Sequence, residues 1–242
     1  MDDDLDQLLV SLKLHRMREI IAERLCSATA EGTSYTEFLR RLLREEHQAQ
    51  QLRFLAGRID RARMPERWSL DTFPWERQPG VRRAVIEELA TLDFIVQGQN
   101  IVLVGPTGTG KTGIASGILL KALFAGRRGL FIKAQELFDD MHRSLADHSS
   151  RKLLDRLARI ELLIVDEMGY LNLRPEQTNI FFKLMEERYI ARTSTLITTN
   201  LDYEEWYGFL GQKPMVAALL DRLRHRCVTV SFDGPSLRSP TG

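Results

Sequence analysis

A glycine-rich run, Gly105-Pro106-Thr107-Gly108-Thr109-Gly110-Lys111-Thr112, most narrowly limits what this chain can fold into. It follows an apolar stretch, Ile101-Val102-Leu103-Val104, and precedes a helix-like segment, Gly113 to Ala125. Strand, glycine loop and helix in that order are the context of a phosphate-binding P-loop. The backbone N–H groups of such a loop converge on one concavity, and the helix N-terminus adds partial positive charge. Gly105, Gly108 and Gly110 let the backbone approach a phosphate where a Cβ would clash. Lys111 has the reach for β- and γ-phosphates, and the Thr112 hydroxyl can ligate Mg2+. The full spacing in this context weighs against a strand–turn–helix junction that merely favours glycine.

Composition narrows the setting rather than the fold. The chain has 242 residues, enough for one large or two small domains. It is 43% hydrophobic and 28% charged, an ordinary soluble composition that can bury a core. The net charge of +1 gives no global attraction to nucleic acid, so any basic surface must be local. Cys26 and Cys227 imply no disulfide framework, and the histidines are scattered without zinc-site spacing. No apolar run approaches the ~18 residues of a membrane span. The acidic start, Met1-Asp2-Asp3-Asp4, is unlike a signal peptide. A soluble, cytoplasmic protein without a membrane partner is expected.

Along the chain, Leu5, Leu8, Leu9, Leu12, Ile20 and Ile21 recur at helical spacing and predict one amphipathic helix over 4–29. Gly32 stops it. Ser34 and Glu37 form a capping box ahead of a second helix, predicted over about 35–62. Its arginines, among them Arg40, Arg41, Arg53, Arg58 and Arg61, read equally as a solvated face or as a phosphate or partner surface. Pro65, Pro74, Pro79 and Gly80 mark 64–80 as a connector. Its Trp68, Phe73 and Trp75 are expected to pack on the next domain or to shape a nucleotide pocket. Beyond residue 81, helix-like segments alternate with apolar runs at 101–104, 129–132, 161–165, 194–198 and 227–231. That alternation predicts an α/β domain with a mainly parallel sheet between helices. The expected organisation is a helical N-terminal domain over 1–63, a linker over 64–80 and a P-loop domain over 81–242.

Three further motifs carry chemistry. Leu162-Leu163-Ile164-Val165 runs into Asp166 and Glu167. Asp166 is placed to hold Mg2+, and Glu167 to orient and activate an attacking water. Thr195-Leu196-Ile197-Thr198-Thr199-Asn200 ends in hydrogen-bonding side chains. Asn200 can touch a γ-phosphate or position water, although asparagine is also a common turn residue. Arg222, Arg224 and Arg226 cluster before the last strand. They read either as a basic helix end or as the source of an arginine finger, which accelerates phosphoryl transfer by roughly 10³–10⁵-fold.

In this order and spacing the four motifs resemble the AAA+ ATPases, and among them the IstB-like ATP-binding proteins, helper ATPases of bacterial insertion sequences. These are relatives of DnaC-type helicase loaders and of DnaA. The resemblance spans nearly the whole chain, including Tyr35-x-x-Phe38-Leu39-x-x-Leu42-Leu43-x-x-Glu46 and Asp221-Arg222-Leu223. It implies an AAA+ P-loop domain with a five-stranded, mainly parallel sheet behind a small helical domain. It implies Gly105, Pro106, Thr107, Gly108, Thr109, Gly110, Lys111, Thr112 and Gly113 as the ATP-binding segment. Thr112 and Asp166 would hold Mg2+; Lys111, Asp166, Glu167, Asn200 and Arg222 would form the catalytic set, with Arg226 as the alternative finger. It also implies an ATP-dependent homo-oligomer, ring or helical, on double-stranded target DNA, working with the transposase of the same element. Thr107 and Gly113 depart from the proline and histidine of many relatives. The sequence ends soon after its last strand, so no helical lid is expected, and Arg238 is a candidate to supply part of a lid arginine's role. Arg143, Arg151, Lys152 and Arg156 are candidate DNA contacts, or equally an exposed helical face. Two other readings are a DnaC-type helicase loader and a non-hydrolysing, ATP-bound DNA adaptor; the paired acids Asp166 and Glu167 speak against the latter.

Overall fold

The computed structural model describes residues 3–65, 68–169, 171, 173–211 and 214–238, without the side chains of 214, 215, 222 and 224. The chain divides into two compact units, Met1–Gly57 and Arg58–Gly242.

The first unit contains α1 (Asp3–Ser11), α2 (His15–Glu31) and most of α3 (Tyr35–Arg61). The single helix expected over 4–29 is therefore two. Lys13 adopts a left-handed φ of 57° that breaks the run, and Leu14 accepts the N–H of Arg18 as α2 begins. The break turns the two apolar stripes toward each other, so Leu9, Met17, Ile20 and Ile21 bury with Leu42 of α3, and Leu5, Leu14 and Phe38 close around them. Gly32 ends α2 in a left-handed C-cap, φ 64°. The capping box is half formed: the Ser34 hydroxyl accepts the Glu37 N–H, while the Glu37 carboxylate pairs with Arg40 and Arg41. Arg41 also reaches Glu31 and Arg53 reaches Glu46, so local acids neutralise part of the arginine-rich face.

Glu46 is the polar pin of this small core. Only 2% exposed, it accepts the Met17 N–H at 2.8 Å in the first turn of α2 and the Arg53 guanidinium at 2.7 Å. Burial pushes its carboxyl up, but the N–H groups of Met17 and Arg16 and the Arg53 charge outweigh it and hold the pKa below the usual glutamate value. Glu46→Ala is expected to destabilise the protein by about 1–3 kcal/mol, because a buried N–H loses its acceptor. Thermal unfolding followed by helical circular dichroism checks this. Because the folded pKa is depressed, the Glu46 contribution is present above about pH 4.5 and fades as pH falls through the lowered folded value.

The second unit continues through two short 3-10 turns, Leu70–Thr72 and Trp75–Arg77, then α4 (Arg83–Leu89) and α5 (Asp93–Gln97). It then alternates β1 (Asn100–Val104), α6 (Lys111–Phe124), β2 (Gly129–Lys133), α7 (Ala134–Ala146), α8 (Ser150–Ala158), β3 (Leu162–Met168), α9 (Pro175–Ala191), β4 (Ser194–Thr199), α10 (Glu205–Leu210), α11 (Pro214–His225) and β5 (Cys227–Ser231). The five strands form one sheet in the order β2-β3-β4-β1-β5, and every pairing is parallel. All five lie where the apolar runs place them. Residues 64–80, read in the sequence as a connector, fall within this unit, with Leu70 and Phe73 buried.

The sheet is apolar on both faces, as a parallel sheet between helices must be. Val102, Leu163, Val165 and Ile197 join one core with residues of α7, α8, α9 and α11, including Leu137, Leu157, Phe181 and Leu219. The alternate positions Ile164 and Leu196 point to the opposite face. There α6 packs across β2, β3 and β4 with Ile114, Ile118 and Leu119 buried. Arg188 of α9, 1% exposed, donates to the carbonyls of Leu157, Ile160 and Ser194 and to the Thr195 hydroxyl. Desolvation lowers its pKa to about 9, which leaves it charged at neutral pH. It ties the end of α8 to the start of β4 and so fixes the strand that carries half of the site described next.

Candidate nucleotide site

Pleat alternation determines which side chains meet at the carboxyl ends of the strands. Asp166 shares the α6 face with Ile164, and Thr198 shares it with Leu196, so both point toward the first turn of α6. The Thr112 hydroxyl donates to Asp166 at 3.0 Å, and the Thr198 hydroxyl donates to the same carboxylate. Asp166 is 1% exposed. Burial pushes its pKa up and the neighbouring Glu167 adds to this, against the hydroxyls of Thr198 and Thr112 and the charge of Lys133.

Glu167 would point into the opposite core if β3 continued regularly. Instead the register with β4 slips between Val165 and Met168, and Glu167 takes a left-handed φ of 60°. Such a bulge bends the strand and re-aims one side chain. Glu167 is the one exposed residue in a buried strand, its N–H held by the Thr198 hydroxyl at 2.9 Å. Its carboxylate meets Lys133, at the end of β2, at 3.3 Å. Thr198 therefore braces both acids, donating to one and accepting from the backbone of the other.

The glycine loop begins where β1 ends. Gly105 has φ 150° and Gly108 φ 85°, and a side chain at either position would drive into Phe232 or Ser236. The Lys111 ammonium bonds to the carbonyls of Gly105 and Pro106, each at 2.7 Å. Burial lowers the Lys111 pKa, as does Arg238, while Asp166 opposes the shift. Gly113, the departure from histidine, lies against the Trp68 indole: a Cβ there would stand 3.2 Å from the ring.

These groups line one cleft of ≈ 420 Å³. It brings together Thr107, Gly108, Gly110, Lys111, Thr112, Gly113, Asp166, Glu167 and Asn200 from the sequence-derived set. Asn200 Oδ1 and Ser116 Oγ are buried in its wall with no hydrogen-bond partner among the described residues. Two such orphan polar atoms suit a polar ligand. The Arg222 side chain lies outside the described side chains. Arg226 sits over the Tyr189 ring, 5.3 Å from its centroid. Among the basic candidates, Arg143, Lys152 and Arg156 border a shared groove with Arg63, Asp140 and Asp147; Arg143 pairs with Asp140, and Arg151 with Asp155 and Glu187. Sequence reasoning assigned no role to Lys133, Ser116 or the bracing by Thr198. Only Thr198 had a local signal, as a hydroxyl at a strand end.

A parallel sheet in this order, with a P-loop, a strand-end acid pair and a polar strand end converging on one cleft, defines an AAA+ P-loop domain. The chain belongs to the family of IstB-like ATP binding proteins, whose model matches residues 7–241. It is 33% identical over 97% of its length to a Pseudomonas aeruginosa protein named as the ATP-binding protein of insertion sequence IS21, and covers 88% of that protein. A Geobacillus stearothermophilus protein named for insertion sequence IS5376 is 34% identical, over 93% of this chain and 91% of that one. Among solved structures, DnaI superposes with a TM-score of 0.58 at 22% identity, over 69% of this chain and 91% of that one. DnaA from Aquifex aeolicus, bound to AMPPCP, superposes with a TM-score of 0.58 at 17% identity, over 70% and 51%. At these identities the likeness is one of fold.

Proposed function

We propose that this protein is an ATPase that assembles on double-stranded DNA in its ATP state and presents that DNA to the transposase of an insertion sequence. The observation that carries the nucleotide half is the convergence of Lys111, Thr112, Asp166, Glu167 and Asn200 on one cleft. The transposition half rests on the family and on the insertion-sequence names of the relatives.

In this reading the loop amides and Lys111 hold the β- and γ-phosphates. The Thr112 hydroxyl and the Asp166 carboxylate are hard oxygen donors that fit Mg2+. When bound, that ion neutralises charge developing on the phosphates. Glu167, carried out of the sheet by its bulge, orients water and takes its proton. Asn200 fixes the γ-phosphate or that water from the other side. Arg222, from the helix before β5, is the finger offered to a neighbouring subunit, with Arg226 as the alternative. Each site is then completed between copies, so a lone copy binds ATP but turns it over slowly. Hydrolysis releases or remodels the assembly.

Arg143, Lys152 and Arg156, with Arg63 beside them, form the phosphate-tracking surface for DNA; the acids Asp140 and Asp147 share this groove, and both Arg143 and Arg151 are ion-paired within the chain. Reversing the charge of Arg143, Lys152 and Arg156 together is expected to lower DNA affinity and to flatten its salt dependence, by a slope of about 0.9 per lost phosphate contact. Fluorescence anisotropy with a labelled duplex across a salt series checks this, and an unchanged slope clears the groove of DNA contact. The fold likeness to the DnaC helicase loader, TM-score 0.54, favours one alternative: loading a replicative helicase. Co-purification of the full chain with such a helicase, and not with the transposase, would select it. Phosphate release stimulated by DNA, if measured, would exclude the third reading, an adaptor that holds ATP without turning it over.

A further inference from the structure

The slip between β3 and β4 sets two residues of one strand against one residue of the other. Val165 pairs with Ile197 and Met168 with Thr199, so Asp166 and Glu167 share Thr198 as their cross-strand neighbour. Two against one is the count of a bulge, and it leaves the extra residue without a ladder partner. Thr198 supplies that partner with its side chain. The residue is 1% exposed, and its hydroxyl donates to the Asp166 carboxylate while accepting the Glu167 N–H at 2.9 Å. Its O–H donor and one lone pair are thereby used, each on a different acid. The hydroxyl of the next residue, Thr199, is engaged elsewhere: it accepts the Leu201 N–H at 3.0 Å in the turn after β4.

The two bonds do different work. The buried Asp166 carboxylate receives the Thr112 hydroxyl from α6 and the Thr198 hydroxyl from β4, so it is fixed between two elements and cannot turn without breaking a bond. Glu167 has a φ of 60°, a left-handed conformation that a non-glycine residue keeps only where its surroundings hold it. The bond from its N–H to Thr198 is a restraint of that kind. Were the bulge to close, regular alternation would turn the Glu167 side chain toward the opposite core and away from the cleft. Valine in place of Thr198 would keep the volume and the β-branched fit to the strand, and would remove both bonds at once.

We propose that Thr198 is a positioning residue for ATP hydrolysis: its one hydroxyl sets the Asp166 carboxylate at the metal position and keeps Glu167 turned out of the sheet. This rests on the reading of the cleft as a Mg2+-ATP site, and it gives a role to a residue that acts through the two acids. Thr198→Val is expected to raise the Mg2+ concentration needed for the ATP-induced thermal shift and to lower phosphate release at saturating Mg2+-ATP, each by about 10–100-fold, the range for groups that orient metal ligands. ATP affinity in the absence of Mg2+ is expected to stay at the wild-type value, because the glycine loop and Lys111 make no bond to Thr198. Thr198→Ser keeps the hydroxyl and is expected to recover most of both losses.

The test takes the full chain as wild type, Thr198→Val, Thr198→Ser and Lys111→Ala, with Thr198→Ala as a second variant lacking the hydroxyl. Three quantities are measured: ATP affinity in EDTA, the Mg2+ dependence of the ATP-induced thermal shift, and phosphate release with DNA present. Nucleotide-free unfolding confirms that each variant is folded. If Thr198→Val and Thr198→Ala match the wild type in Mg2+ requirement and turnover, the positioning role is overturned. It is equally overturned if Thr198→Ser is as impaired as Thr198→Val, since the hydroxyl is then not the group that matters. If Thr198→Val loses ATP affinity in EDTA as well, Thr198 shapes the whole cleft rather than the two acids, and the inference is wrong. If Lys111→Ala leaves ATP affinity unchanged, or the wild type releases no phosphate, the ATPase reading itself fails, and the role of Thr198 with it.

Discussion

Asp166→Asn is expected to make the nucleotide-free protein more stable while removing its response to Mg2+-ATP. Asp166 is buried, and burial holds its pKa above 3.8. A carboxyl with a raised folded pKa favours folding below its unfolded value, and that advantage is lost as pH rises through the folded value. At neutral pH the protein therefore carries the cost of burying this charge next to Glu167. Asparagine keeps the shape and can still accept from Thr112 and Thr198, so that cost disappears. A gain of about 1 kcal/mol corresponds to roughly 2–4 °C in a chain of this size. In the wild type, nucleotide and Mg2+ at about a hundred times Kd should add about 2.7 kcal/mol. The variant should lose most of that increment. Thermal scans with and without Mg2+-ATP read both effects at once. If the nucleotide-free midpoint falls while the shift survives, Asp166 is a structural residue and no metal ligand. The same sign logic predicts that the Mg2+-ATP shift of the wild type shrinks as pH falls through the raised Asp166 pKa.

Glu167→Gln should separate binding from turnover. Glu167 lies outside the packed core, touching Lys133 and, through its N–H, Thr198. The amide retains size and the backbone bond but takes up no proton. Phosphate release should drop by about 10²–10⁴, the span of general-base catalysis. ATP affinity should change little, because the phosphate-holding groups are elsewhere. The variant should accumulate in the ATP-bound assembly that the wild type leaves by hydrolysis. Lys111→Ala should do the reverse, losing ATP-driven assembly altogether. A single-turnover assay with paired binding isotherms distinguishes them. Equal loss of affinity and turnover in Glu167→Gln would mean that the glutamate holds nucleotide rather than activating water.

What could be read in the sequence follows from how local each signal is. The glycine loop, its strand and its helix are contiguous, and the chemistry of the loop is spelled by residue type at fixed spacing. Asp166 and Glu167 are legible for the same reason, as polar residues ending an apolar run. The sheet was legible as five apolar runs, because parallel strands buried on both faces show little alternation. The bulge at Glu167 was not: it depends on a one-residue slip against β4, which no spacing within β3 reports. Lys133 and Thr198 depend on the order β2-β3-β4, which sets their strand ends on either side of Asp166 and Glu167. Further still from local reading are the bonds from the Leu237 N–H to the Gly108 carbonyl and from the Gln78 amide to the Thr109 and Pro235 carbonyls, since they join the glycine loop to segments far from it in sequence, and β5 must lie beside β1 for Leu237 to reach it. At the N-terminus the apolar period persisted through Leu12 and Leu14, so the turn at Lys13 left no break in the pattern. Glu46 reads as one more surface acid on a charged helix until α2 folds its first turn against it.

The central claim is that ATP, and not ADP, assembles this protein on DNA. The most direct measurement is the particle mass of the wild-type chain on a double-stranded fragment, by mass photometry or electron microscopy, in Mg2+-ATP and in Mg2+-ADP. The account predicts ordered multimers with ATP and single copies or free DNA with ADP. Equal occupancy and equal mass in the two nucleotides would contradict it.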